Sequence, residues 1–278
     1  DLKYKGLWVQ EKIIGEISSL EPINLLSYIS SLTSTADLGV AVIIGSTRNP
    51  ILLAKELASL DQMSGGRLIL GYALGGNPRN YSLMDGPDSK RVRHFIESLN
   101  VIKSLWTEDS PDIEGDFWNF DGLSIYPKPL QKPHPPIWFG GRHPDALKRA
   151  VKYGDGWMGA GSTTSDQFVE HMGIIKKELS YLNKSENDFK ISKRVYVAID
   201  SDRTRAEEKL RAWFKANYGN PDLGSQVSIW GTSDEIIPEL QRLIDSGAGM
   251  LMFNPVFDHM FHLETIAEEV IPFLTAGN

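Results

Sequence analysis

The chain has 278 residues, 41% of them hydrophobic and 23% charged, which suits one sizeable core on the scale of a single α/β barrel; the absence of cysteine excludes disulfide and thiolate chemistry. A formal charge of −7 with no basic run argues against nucleic-acid binding, which needs clustered Lys and Arg to displace phosphate counterions. No stretch approaches the ~18 uninterrupted apolar residues of a membrane helix, and the opening Asp1-Leu2-Lys3-Tyr4 lacks the blocks of a signal peptide, so a cytoplasmic protein with no membrane partner is expected.

Short apolar runs alternate with longer amphipathic stretches, the pattern of a parallel sheet with crossover helices. Residues 6–10 predict a strand and 22–34 a helix, with Ile23, Leu26, Ile29 and Leu32 on one face. A strand over 38–44 precedes a helix over 50–63, which Asn49 caps and Pro50 opens. A strand at 67–73 and a long helix at 91–106 follow, the latter carrying Arg91 and His94 in surface or capping roles.

Residues 115–129 break the rhythm. Phe117, Trp118, Phe120 and Tyr126 around Asp121-Gly122 predict a β-hairpin excursion turning at that pair, its aromatics serving as packing or as a lid. The alternation then resumes with a strand at 137–139, a helix at 145–153, a strand at 156–159 and a helix at 165–182. The last units are a strand at 189–199, helices at 203–218 and 233–246, a strand at 250–253 and a helix at 262–274. This gives seven barrel strands where a closed barrel has eight, and the missing first strand is expected ahead of Asp1. The whole of 1–278 is expected to form a single domain.

Four segments carry a family likeness. Leu38-Gly39-Val40-Ala41-Val42 with Arg48-Asn49-Pro50 comes first, then Leu60-Asp61-Gln62-Met63-Ser64-Gly65-Gly66-Arg67-Leu68. Pro135-Pro136-Ile137-Trp138-Phe139-Gly140-Gly141-Arg142 and Gly154-Asp155-Gly156-Trp157 complete the set. In this order and spacing the sequence resembles the bacterial luciferase-like family of flavin- and coenzyme F-420-dependent oxidoreductases. The resemblance implies a (β/α)₈ TIM barrel, FMN or coenzyme F-420 as cofactor, a small-molecule substrate and a homodimer. It also implies a cis peptide at Ala41-Val42, on the strand that would support the central ring of the cofactor.

In a barrel, the loops after the strand carboxyl ends form the site. Gly140-Gly141-Arg142 sits after one strand and ahead of a helix near Pro144, where glycines let backbone N–H groups approach an anion. Ala160-Gly161-Ser162-Thr163 repeats the arrangement one strand later, with hydroxyls to donate. Together they make a cofactor-phosphate cradle, or else the glycines simply serve tight turns.

Several residues depart from the family pattern. Lys12 stands where relatives place a histidine, and is either a candidate catalytic residue facing an anion or a solvated loop lysine. Leu74 and Gly76 replace the arginine of luciferase and the carboxylate of the glucose-6-phosphate dehydrogenase branch, so neither specific chemistry is expected. Asn77 is a candidate substrate contact, or a turn residue before Pro78.

On the strand over 190–199, Ile191, Val195, Val197 and Ile199 share one face and Ser192, Arg194, Tyr196 and Ala198 the other. Turning the apolar face to the helices leaves Arg194 and Tyr196 in the lumen. Arg194 is then the second candidate catalytic residue, or half of a structural ion pair, and Tyr196 a substrate contact. His143 reads as a cap, and His259 and His262 lack the partners of a metal site, so no metal is expected. The functional expectation is redox catalysis, by hydride transfer with F-420 or oxygenation with reduced FMN; the alternative is a non-catalytic flavin-binding protein of the same fold.

Overall fold

Strand and helix alternate from Gly6 onward, as the apolar runs require. The computed structural model describes residues 2, 4–76, 82–84, 86–87 and 89–275. They divide into two compact units, Lys5–Gly140 and a second made of Asp1–Tyr4 with Gly141–Asn278.

The unit Lys5–Gly140 holds β1 (Gly6–Val9), α1 (Pro22–Leu32), β2 (Asp37–Val40), β3 (Ile43–Ile44), α2 (Pro50–Ser64), β4 (Leu68–Ala73) and α3 (Arg91–Thr107). A small hairpin, β5 (Ile113–Glu114) with β6 (Asn119–Phe120), precedes β7 (Ile137–Gly140). The ladder runs β1–β2–β4–β7, all parallel, with β3 continuing beside β4. Asn49 caps α2 through Ile51 and Leu52, Pro50 sits at its first position, and Gly65 ends it with a φ of 70°.

The segment Leu60 to Leu68 is a staple. The Asp61 carboxylate, fully buried, accepts the Gln131 backbone N–H at 3.0 Å and its side-chain amide at 2.7 Å. The Arg67 guanidinium donates to Ser64 O, Thr33 Oγ1, Ala36 O and Ser30 O, which ties the ends of α1 and α2 to the start of β4. The most recognisable motif of the sequence therefore holds the scaffold.

The hairpin forms, but not where its turn residues predict. Glu97 on α3 accepts the N–H groups of Asp116, Phe117 and Trp118 at 3.1, 2.7 and 2.8 Å, and so places the reversal at 115–118. One carboxylate satisfying three donors outweighs the local preference of Asp121-Gly122, which lies beyond β6. His94, expected at the surface, is buried with its ring edge-on to Phe117.

The second unit holds α4 (Pro144–Tyr153), β8 (Gly156–Gly159), α5 (Ser165–Tyr181), β9 (Lys190–Ile199), α6 (Arg203–Tyr218), α7 (Leu223–Val227), β10 (Ile229–Gly231), α8 (Ser233–Asp245), β11 (Met250–Pro255) and α9 (His259–Thr265). Beyond α9 the expected single helix breaks into a π turn at Ile266–Val270 and a 3₁₀ turn at Ile271–Phe273 around Pro272, which has no N–H to continue it. The ten-residue β9 is the hub. It pairs in parallel with β8 from Lys190, with β11 from Ser192 and with β10 from Val197. β10 was not expected, because three residues show no period.

The face of β9 that carries Tyr196 and Ala198 does not open into a lumen at that point. It meets α6, α7 and the residues after β11 in a cluster with Leu210, Phe214, Val227 and Val256. Aromatic residues on α6 supply the apolar cover that the expectation of an inward-pointing Tyr196 left out.

Candidate functional site

At the carboxyl ends of β2, β4 and β7 the side chains are small. A Cβ on Gly140 would lie 2.9 Å from Val42 Cγ1 and 3.4 Å from Ala73 Cβ, so these three positions adjoin and carry no side chain larger than a valine. The Ala41-Val42 peptide is cis, as the resemblance implies, and Ala41 N–H donates to Val9 O at 2.7 Å. The rings of Trp8 on β1 and Trp138 on β7 stack with centroids 5.4 Å apart. Gly39 makes room for them, since a Cβ there would lie 2.2 Å from the Trp8 ring. The Trp138 Nε1–H is buried and has no hydrogen-bond partner among the described residues.

Beyond β1 stands a carboxylate that sequence reasoning missed. The Glu11 side chain has no exposed surface; Oε1 accepts Arg48 Nε at 2.7 Å and Nη2 at 2.5 Å, while Oε2 accepts Ile44 N–H at 2.6 Å. Arg48 also reaches Glu21 at 2.7 Å. The cluster fixes the chain end of β1 to the segment after the cis peptide. Lys12 follows directly, half-buried, with its stem against Gly15 and no ion pair among the described residues. Asn77 lies outside the described residues; just before it, Ser46 Oγ donates to Leu74 O at 2.7 Å and Arg91 Nη2 to Gly75 O at 3.1 Å.

In the second unit, Gly141 packs where a Cβ would lie 2.7 Å from Ala146 Cβ, and its carbonyl accepts Trp157 Nε1–H at 2.9 Å. Arg142 is exposed, and His143 caps α4 by accepting Asp145 N–H, as expected. The loop after β8 is a closed turn, with Thr163 N–H on Ala160 O at 3.3 Å and Thr163 Oγ1 on the same carbonyl at 2.7 Å. The N–H groups of Gly161 and Ser162 make no backbone hydrogen bond among the described residues. Thr164 and Gln167 form a capping box at the start of α5.

Two of the expected site residues meet here, because a Cβ on Gly161 would lie 2.6 Å from Tyr196 Cε2. Tyr196 itself is fully buried, with Trp213 and Phe214 at 4.9 and 5.0 Å between ring centroids, and its hydroxyl is 2.5 Å from that of Tyr218. Burial pushes its phenol far above the ordinary range. Arg194 donates through Nε and Nη2 to Asn254 Oδ1 and stacks over the Tyr196 ring at 4.9 Å.

Lys193 was overlooked, although a lysine on the otherwise apolar face of β9 was the signal. Its Nζ is buried beneath the loop and donates to Ala160 O at 2.6 Å, Thr163 O at 2.8 Å and Thr163 Oγ1 at 3.0 Å. Burial brings its pKa down to about 7.

Comparison with known proteins agrees with this geometry. The sequence is 24% identical over 275 residues to an F420-dependent glucose-6-phosphate dehydrogenase of Amycolatopsis mediterranei, covering 89% of this chain and 82% of that protein. It is 30% identical over 206 residues to the oxygenase component of a flavin-dependent trigonelline monooxygenase of Acinetobacter baylyi, covering 70% of this chain and 57% of that one. The solved structure of an F420-dependent secondary alcohol dehydrogenase in complex with an F420-acetone adduct superposes with a TM-score of 0.86 at 19% identity, over 97% of this chain and 90% of that one. The fold is thus the luciferase-type TIM barrel. The sequence model of luciferase-like monooxygenases matches residues 1–229, and the chain belongs to that family.

Proposed function

We propose that the protein is an oxidoreductase that uses FMN or coenzyme F-420 to reduce, oxidise or oxygenate a small organic substrate. The observation that carries this reading is the close packing of Val42, Ala73 and Gly140, where the three adjoining positions carry nothing larger than a valine. A flat ring system needs such a surface, and solved structures that hold an F420-acetone adduct or FMN share the fold. The buried Trp138 N–H and the N–H groups of Gly161 and Ser162, which have no backbone or side-chain acceptor among the described residues, are further donors suited to a polar, anionic ligand.

On this reading Gly140, Gly141, Arg142 and the loop Ala160, Gly161, Ser162 and Thr163 bind the cofactor, with Ala41 and Val42 under its ring. When bound, the cofactor supplies the electron or hydride transfer, and the protein supplies position and a dry surround. Lys12 is the residue placed to hold negative charge near β1, and Glu11 fixes where it starts. Arg194 is assigned a supporting role through Asn254 rather than direct chemistry. Gly76, where the glucose-6-phosphate dehydrogenase branch carries a carboxylate, argues for a different substrate from theirs.

Among the described residues no helix is long and apolar enough to cross a membrane. A cytoplasmic homodimer is the proposed working form. The lysine in place of the histidine supports a second reading, a flavin-binding protein without turnover. One experiment separates these: the absorbance spectrum of the purified protein, mass spectrometry of the released ligand, and titration with FMN and F-420. Binding with substrate-dependent reoxidation supports the enzyme; binding without turnover under any donor or acceptor supports the second reading; failure to bind either sinks both.

A further inference from the structure

Buried lysines without a carboxylate are rare, because moving an ammonium out of water is costly unless its donors are all met. Lys193 meets them with two carbonyls and a hydroxyl of one short loop. A trans peptide carries its C=O and the next N–H on opposite sides, so turning Ala160 O toward Nζ turns the Gly161 N–H away from it. When protonated, the ammonium places a positive charge behind the loop with little solvent to screen it.

We infer that Lys193 is a positioning residue that shapes the loop Ala160–Thr163 into an anion receptor and charges it from beneath. The inference rests on the proposed reading that this loop holds the cofactor phosphate. The groups facing Lys193 are compatible with it. The titratable group of α5 that Lys193 acts on is His171, which Glu170 and Arg142 also influence. His171 is held below its ordinary value, first by burial and then by Lys193 and Arg142, so it is neutral above pH 6.5. In that range the charge under the loop is that of Lys193, and it is lost as pH rises through about 7.

The test is binding, not turnover. Dissociation constants are measured from pH 6.5 to 8.5 for FMN against riboflavin, and for F-420 against its chromophore lacking the phosphate tail. The phosphodiester of F-420 keeps one charge over this range, so the pH effect is read with it. Wild type should bind the phosphorylated partner more tightly, with the advantage shrinking on the order of tenfold across the range. Lys193→Met should remove that advantage while leaving the phosphate-free ligands unchanged, and Lys193→Arg should restore part of it without the pH dependence. A phosphate advantage that persists in Lys193→Met, or a pH-independent advantage in wild type, overturns the role of Lys193 while the proposed function stands. Failure of FMN, F-420 and both phosphate-free ligands to bind wild type overturns the proposed function and this inference with it. The wild-type pH series needs no variant, so misfolding of Lys193→Met does not leave the question open.

Discussion

The Glu11 carboxylate and the Arg48 guanidinium close on each other from two elements, with both Arg48 Nε and Nη2 on the same Glu11 oxygen. The second oxygen takes the Ile44 N–H, so one buried acid joins β1, the segment after the cis peptide and the approach to α2. Glu11→Ala strips the partner from Arg48 and leaves Ile44 N–H unpaired. Breaking a buried pair from one side costs about 3–5 kcal/mol. Chemical denaturation should show a loss of that order with the m-value unchanged. A loss under about 1 kcal/mol would mean that Glu21 alone holds Arg48.

Lys12, the next residue, should behave oppositely. It has no ion pair among the described residues, so Lys12→Met should leave stability within about 0.5 kcal/mol. If Lys12 holds charge that develops on the reacting pair, turnover should fall roughly ten- to a hundredfold, the worth of a hydrogen bond to a charged group. Single-turnover kinetics with bound cofactor separate this from weakened binding. Wild-type rates would make Lys12 a surface lysine.

Lys12 was visible in the sequence and Glu11 was not, for a physical reason. A lysine standing where relatives carry a histidine is a difference of residue type. Glu11 is set apart only by its burial and its partners, which lie 33 and 37 residues away. Strands and helices were legible because each buried strand is an apolar run and caps such as Asn49-Pro50 act locally. The hairpin turn, β10 and Lys193 escaped because Glu97, the tail of β9 and two loop carbonyls decide them from a distance. Tyr196, expected to point into the lumen as a substrate contact, lies against Gly161 with its ring in the α6 core, because the covering aromatics of α6 are distant in sequence.

That contact yields a prediction of its own. The Tyr196 ring is held by Trp213 and Phe214 and cannot withdraw, so a methyl on Gly161 would force the loop to move. Gly161→Ala should cost about 1–3 kcal/mol as overpacking and should weaken FMN binding more than riboflavin binding. Tyr196→Leu, itself destabilising, should relieve the clash, so the double variant should be more stable than the two losses summed. Simple additivity in thermal denaturation would show that the loop yields without touching the ring.

The last prediction concerns acid. His262 has no exposed surface; its Nε2 accepts Ile199 N–H at 2.8 Å and its Nδ1 lies 3.1 Å from Asp258 O, so the ring is neutral with its proton on Nδ1. Burial lowers its pKa below the ordinary 6.5, against the raising effect of the Asp258 carbonyl bond and of the Asp258 and Asp200 charges, with His259 adding to the fall. A histidine whose pKa is lower folded than unfolded takes up its proton more readily in the unfolded chain. Stability from this group is therefore complete above about pH 6.5 and is lost as pH falls from there toward the folded value. Protonating Nε2 also breaks its bond to Ile199 at the end of β9, where β10 is paired. His262→Gln offers an acceptor and a donor that never titrate. Its stability at pH 7.5 should lie within about 1–2 kcal/mol of wild type, with a shallower decline between pH 6.5 and 5. Urea denaturation across that range measures both slopes, and equal slopes would show that another group sets the acid limit.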